Sequence, residues 1–210
     1  MKMREANTVT CEEEALALVN QYGFVTLFPI KGTQFPNLYH AIKGTREEKF
    51  DKTWTWGYQL AQQKHLHYGK FIRKQVTLIS LELLPYFLRL ARDQKLGTAA
   101  QRILAHLQTH GKTSTTNLRK HLGYQQKDQK PEFLHAIDEL QLAFAVAIVK
   151  RDPYPQYTNT YDLIDRWIPT PILEQAEHLT LETAREKLIT QLLTNGVITT
   201  PVDAKRYIRF

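Results

Sequence analysis

The chain has 210 residues, 42% hydrophobic and 23% charged, enough for one medium domain or two small ones and too apolar to remain disordered. It holds no apolar run of about 18 residues, and its first residues lack the hydrophobic core of a signal peptide, so neither secretion nor membrane spanning is expected. A single cysteine excludes an internal disulfide framework and fits a reducing cytoplasm, while 28 Lys and Arg against 21 Asp and Glu give a net charge of +7 that favours a polyanionic partner.

Thr10 with Glu13 three residues on has capping-box spacing, and Leu16, Val19 and Tyr22 follow at helical period, so a helix is expected up to Gly23. Glu12, Glu13 and Glu14 read as its acidic first turn, and Cys11, at the helix start without a base partner, as a buried small residue. Phe24 to Phe28 reads as a buried strand, and Pro36 to Lys43 as a short helix with proline in its first turn and Gly44 after its end. Residues 45–63 are expected to form a polar loop holding Trp54, Trp56 and Tyr58. His65 to Phe71 and Val76 to Leu81 read as two strands joined by an Arg73-Lys74-Gln75 turn, and Leu84, Phe87, Leu88 and Ala91 carry a helical stripe. This predicts an α+β amino-terminal part over residues 1–97.

Ala100, Ile103, Leu104 and Leu107 mark the first amphipathic helix of the second part, ended by Gly111. Leu118 and Leu122 mark a short second one, ended by Gly123, and Pro131 with Glu132 opens a third whose apolar face is Phe133, Ile137 and Leu140. Phe144 to Val149 then reads as a strand, Arg151 to Pro155 as a turn, and Tyr157 to Leu163 as an antiparallel return. Three helices followed by a hairpin is the winged helix-turn-helix order, assigned to residues 98–168. Shifting the sequence by 85 residues lays Arg102–Leu122 on Lys187–Tyr207, with Leu107 on Leu192 and Gly111 on Gly196. The helical segment 169–210 therefore reads as a truncated second helix-turn-helix-like repeat. Its apolar face needs cover from the rest of the chain or a second subunit, which leaves a homodimer open.

The charge is concentrated in residues 1–97, with fourteen basic against nine acidic residues, and 98–152, with eight against five. The densest run, Lys64 to Lys74, contains Lys64, Lys70, Arg73 and Lys74 with no acid. In a winged helix the third helix enters the major groove while the wing meets the backbone. Gln125 and Gln126, which can pair with adenine, and Lys127 and Lys130, which can meet phosphates, precede that helix, and Lys150, Arg151 and Tyr154 lie on the wing. His135 and Asp138 are expected to face away from the apolar stripe. Trp54 and Trp56 alternate along an extended segment and would share one side of it, either in core packing against the small sheet, the favoured role, or as a stacking platform for unpaired bases beside the basic run. His65 and His67 share a strand face but lack a third ligand, so no metal site is expected, and no cofactor fingerprint occurs.

The segments Leu27-Phe28-Pro29-Ile30-Lys31-Gly32, Leu38-Tyr39-His40-Ala41-Ile42-Lys43-Gly44, Thr55-Trp56-Gly57, Tyr68-Gly69-Lys70 and Ser80-Leu81-Glu82-Leu83-Leu84-Pro85-Tyr86-Phe87 together resemble the bacterial winged-helix proteins called AlkZ-related. These are kin of the tandem winged-helix DNA glycosylases of the AlkZ/YcaQ type. The resemblance extends through Ala136-Ile137-Asp138-Glu139-Leu140, Tyr161-Asp162-Leu163 and Arg166-Trp167. It implies a place in DNA repair and, for the glycosylases, excision of alkylated or crosslinked bases with a Gln-x-Gln or Gln-x-Asp pair in the amino-terminal part. Here the only such spacing is Gln126-Lys127-Asp128, in the turn before the third helix, and Gln59 and Gln62 are wrongly spaced. The expectation is a cytoplasmic, non-catalytic protein that binds double-stranded DNA, with no membrane partner. A glycosylase with a divergent site and a winged-helix protein-interaction scaffold are the alternatives.

Overall fold

In the computed structural model, which describes residues 8–152 and 158–208, helices combine with two small antiparallel sheets in a mixed α+β arrangement. Helix α1 (Glu12–Tyr22) starts where the Thr10 amide and hydroxyl both donate to the Glu14 carboxylate, at 2.7 and 2.8 Å. The acceptor is thus one residue beyond the expected Glu13, and Cys11 takes the cap position half-exposed rather than buried. Gly23, at φ 76°, ends the helix. Strand β1 (Phe24–Thr26) is shorter than expected because the Leu27 carbonyl turns away to accept the Tyr39 N–H at 3.0 Å. Helix α2 (Leu38–Ala41) begins after Pro36, not at it: Asn37 caps it by accepting the His40 N–H, while the Pro36 carbonyl accepts the Thr26 N–H.

The largest departure is at residues 45–63, where the expected loop is the helix α3 (Arg46–Gln62). A reciprocal capping box starts it: the Glu48 N–H donates to the Thr45 hydroxyl at 3.3 Å and the Thr45 N–H to the Glu48 carboxylate at 2.7 Å. Thr53, Gly57, Leu60 and Ala61 form its buried stripe, and a Cβ at Gly57 would come within 2.6 Å of the Leu27 side chain. Trp54 and Trp56, two positions apart on a helix, point roughly 200° apart and do not share a side.

Strands β2 (Leu66–Ile72) and β3 (Gln75–Ser80) complete a sheet of order β1-β3-β2, with Tyr68 opposite Leu78 and Phe24 opposite Ile79. The expected hairpin is present, turned by Arg73 and Lys74 alone, both at positive φ (48° and 62°). Helix α4 (Leu84–Ala91) buries Leu84, Phe87 and Ala91 of its expected stripe and leaves Leu88 half-buried. The chain forms two compact units, Met1–Tyr86 with Leu179–Phe210 and Phe87–His178.

In the second unit, α5 (Thr98–His110), β4 (Thr113–Ser114), α6 (Thr115–His121) and α7 (Lys130–Leu142) lead into β5 (Val146–Arg151) and β6 (Asn159–Leu163). The sheet order is β4-β6-β5, all antiparallel. Ile103, Leu107, Leu118, Phe133, Ile137 and Leu140 are buried, so the three helical stripes meet in one core. Short helices α8 (Ile164–Trp167) and α9 (Thr170–His178) follow.

Helix α10 (Leu181–Thr194) returns to the first unit, where its Gln191 and the adjacent Asn195 donate side-chain N–H groups to the Tyr22 carbonyl at 2.9 and 2.8 Å. Leu188 and Leu192 are fully buried, and Tyr207, beyond a 3₁₀ turn at Pro201–Arg206, packs its ring 5.5 Å from Phe35. The apolar face of this segment is thus covered by its own unit. Gly111 and Gly196 both hold positive φ, 74° and 69°, as the internal echo required, but the element after Gly196 is a 3₁₀ turn where α6 is an α-helix.

His67, in the middle of β2, is 1% exposed and stacked on Phe71 at 5.0 Å. Burial lowers its pKa to about 3 from an ordinary 6.5, so it stays neutral at pH 7. Above pH 6.5 both folded and unfolded chains leave it neutral. Below that the unfolded chain takes up a proton that the fold refuses, and stability falls by up to about 1.4 kcal/mol per pH unit until roughly pH 3. Urea unfolding of wild type and His67→Phe at pH 7, 6, 5 and 4 should therefore show the variant gaining on wild type as pH drops. A gap that stays constant would refute the assignment.

Candidate nucleic-acid interface

The end of α6 leaves backbone carbonyls without helical partners, and Gly123, at φ 79°, reverses the chain there. Two arginines satisfy carbonyls at this helix end and in the turn that follows it. Arg102, from α5, donates Nη2 to the Leu122 carbonyl at 3.0 Å and Nη1 to the Tyr124 hydroxyl at 3.4 Å, with its guanidinium 5.5 Å over the Tyr124 ring. Arg119 donates Nε to the Tyr124 carbonyl at 2.9 Å and Nη2 to the Gln125 carbonyl at 3.4 Å. Tyr124 itself is buried against Phe133, and the Gln126 N–H donates to the Gln129 side chain at 3.1 Å. The backbone of the turn is therefore fixed from the inside, while the Gln125, Gln126, Lys127 and Lys130 side chains stand exposed on its outside.

Beyond the turn the exposed side of α7 carries Glu132, Leu134 and His135, with Asp138 and Glu139 half-buried. Glu139 is committed to the Gly97 N–H at 2.7 Å. His135 faces outward as expected, but the acids along the helix repel phosphate, which confines any backbone contact to its amino end and the preceding turn. On the β5–β6 hairpin, the Lys150 ammonium pairs with Asp152 at 2.9 Å and Arg151 lies opposite Asn159. Tyr154 and the start of the returning strand at Tyr157 fall outside the described residues.

Arg166 enters the sequence reading only through the family resemblance, with no role assigned, yet it donates to the Leu107 and Gln108 carbonyls at the end of α5, each at 3.0 Å, and pairs with Asp162 at 3.2 Å. The imidazoles of His106, His110 and His121 also gather, with ring centres 4.2 and 5.4 Å from His106. Burial, and then the two neighbouring rings, hold His106 below the ordinary histidine range. Among the described residues no three metal-binding side chains are arranged to hold an ion.

In the first unit the run Lys64 to Lys74 is spread along a hairpin. Lys64 and His65 precede β2, Lys70 is half-buried within it, and Arg73 and Lys74 are exposed at its turn. Seven strand residues separate those ends by roughly 20 Å, and His67 is internal and neutral. Trp54 lies 5.4 Å from Phe28 and 6.4 Å from Phe50, whereas Trp56 sits under the Lys52 ammonium at 5.6 Å.

A family model described as AlkZ-related matches residues 9–209. The chain belongs to the AlkZ-related family. No curated protein and no solved structure gives a significant match. Membership in the AlkZ-related family points to a DNA-related function and leaves DNA binding and base excision to be separated by chemistry. In this AlkZ-related chain Gln126 and Asp128 are exposed in the α6–α7 turn, where nothing excludes solvent from them. No helix among the described residues is long and apolar enough to cross a membrane.

The way these cations are held has two measurable consequences. Arg119→Ala should strip two charge-assisted hydrogen bonds and cost about 1–3 kcal/mol, with amide exchange accelerating at Tyr124–Gln129; Lys at this position, lacking the planar fork, should restore little. Arg73 and Lys74 occupy a two-residue turn whose left-handed conformations suit Asn-Gly. Arg73→Asn with Lys74→Gly should raise stability by about 1–2 kcal/mol, read by urea unfolding, and an unchanged or lower midpoint would contradict the strain.

Proposed function

We propose that the chain binds double-stranded DNA, without excising bases, through a winged helix formed by residues 98–168. The observation that carries this is the α6–α7 turn: its backbone is clamped by Arg102 and Arg119 while two glutamines and two lysines are presented outward at the amino end of α7. The element order supports it, since a helix, a short strand, two helices and a hairpin whose second strand pairs with that short strand is a winged-helix plan. In this reading Lys127 and Lys130 meet phosphates, Gln125 or Gln126 reaches a base edge, and Lys150 and Arg151 on the wing add backbone contacts. Arg73 and Lys74, with Lys64 and Lys70, form a second phosphate-binding element on the hairpin of the other unit. The position of Gln126 and Asp128 supports the non-catalytic reading, because hydrolysis of a glycosidic bond requires the polar pair to hold a water against an extruded nucleotide in a pocket.

Anisotropy titrations of a fluorescent 20-base-pair duplex should show affinity falling steeply between about 50 and 200 mM salt. Lys127→Ala with Lys130→Ala should weaken binding to every sequence and lower the log–log salt slope by up to about 2. Gln125→Ala or Gln126→Ala should change sequence preference and leave that slope intact. A flat salt response would remove the DNA reading. Enzyme-dependent release of free base from alkylated or crosslinked duplex would replace it with a divergent glycosylase.

A further inference from the structure

Helix α3 carries two stripes, and only one is used by the core. Flanking the buried Thr53, Gly57 and Leu60 it presents Arg46, Glu47, Phe50, Asp51 and Trp54, at positions that recur along one side of the helix. Of these, Arg46, Glu47, Phe50 and Asp51 meet Phe28, Pro29 and Tyr39 to line a cleft of about 710 Å³, within the roughly 300–1,000 Å³ typical of small-ligand sites, with Trp54 packed behind Phe28. The ring of Phe28 lies 5.5 Å from Tyr39, 5.5 Å from Phe50 and 5.4 Å from Trp54, so the wall is a contiguous aromatic cluster. Phe50 leaves 51% of its surface exposed within that cluster, apolar area that a flat ligand would cover.

We infer that this cleft receives a single unstacked nucleobase bearing an exocyclic amino group, an inference that rests on the DNA-binding reading above. The aromatic wall supplies stacking to any base. The rim supplies selection: one guanidinium and two carboxylates give the cleft a net negative charge, which repels a phosphate from its interior and favours a neutral group with N–H donors. Carboxylates accept from the amino groups of cytosine, adenine and guanine, and thymine offers no such group. Arg46 adds a donor for the ring nitrogens or carbonyl of the same base. The negative rim also separates this site from the lysine-rich turn, which suits phosphates and holds no aromatic wall.

The test uses the full chain and duplexes carrying one extra 2-aminopurine, cytosine or thymine on one strand. The 2-aminopurine duplex should bind at least about fivefold tighter than the intact duplex, with its fluorescence quenched on binding, the lower end of what stacking one base on an aromatic provides. Phe50→Ala should remove the preference and the quenching while intact-duplex affinity is unchanged. Phe50→Leu, which keeps apolar bulk without a π face, should behave like Phe50→Ala. Glu47→Gln with Asp51→Asn should abolish the discrimination of bulged cytosine over bulged thymine. Equal affinity for bulged and intact duplexes would overturn the base-binding cleft and leave salt-dependent duplex binding standing. Quenching that survives both Phe50 variants would overturn the assignment of the site. Failure to bind any of the duplexes would overturn both readings.

Discussion

The carbonyls stranded at helix carboxy ends are the constraint on which much of this structure depends. Each α-helix leaves its last carbonyls without partners, and a buried one costs as much as a lost hydrogen bond. Three helices here solve this with side chains from elsewhere. The Tyr22 carbonyl at the end of α1 takes two amide N–H groups from Gln191 and Asn195, about 170 residues later. The end of α5 is met by Arg166 and the end of α6 by Arg102, while Arg119 of α6 itself binds the Tyr124 and Gln125 carbonyls of the turn that follows. For the arginines the contact is also electrostatically favourable, because a cation meets the negative end of the helix dipole. These bonds tie the carboxy-terminal helix to the first unit and fix the α6–α7 turn.

A consequence is that net charge overstates what phosphates can meet. In the second unit Arg102, Arg119 and Arg166 are turned toward backbone carbonyls. Lys127 and Lys130 stand outward on the clamped turn, so the cations offered there are compact ammonium groups while the planar forks serve the frame. The two cation types are suited to these different places. A guanidinium can bridge two carbonyls in fixed geometry, and a lysine on a flexible stem can follow a phosphate oxygen whose position varies.

Much of the order of elements is legible in the sequence because it rests on local rules. Pro131, Gly111, Gly123 and the period of Ile103 and Leu107 or of Phe133, Ile137 and Leu140 mark helices whose ends agree with the structure. The β2–β3 and β5–β6 hairpins follow from alternation and polar turns. Helix α3 escapes a reading that takes its aromatics as a cluster in polar surroundings. The Thr45-x-x-Glu48 box and the spacing of Phe50, Trp54 and Tyr58 carry the helical signal, diluted by residues that keep a second stripe facing outward. The arginine clamps are illegible for another reason: a guanidinium's partner carbonyl can lie 20 or 59 residues away, and no sequence period encodes it. The basic run misleads by proximity, since adjacency along a strand spreads side chains over roughly 20 Å instead of gathering them.

Local rules and tertiary structure conflict in the interior at Phe144, a buried aromatic at φ 50°, and also at places on the surface. Arg73 and Lys74 hold left-handed conformations that Asn-Gly would adopt more easily, and Phe50 stays half-exposed beside the buried stripe that anchors its helix. Departures of this kind persist when another interaction compensates for them, and they concentrate where a protein meets a partner. The chemistry of these two departures differs. A strained turn of two cations favours a polyanion, and an aromatic wall rimmed by carboxylates favours a flat, uncharged donor. Backbone phosphate and unstacked base are the two components of DNA that present those properties, so under the proposed DNA-binding reading one class of ligand would meet both places.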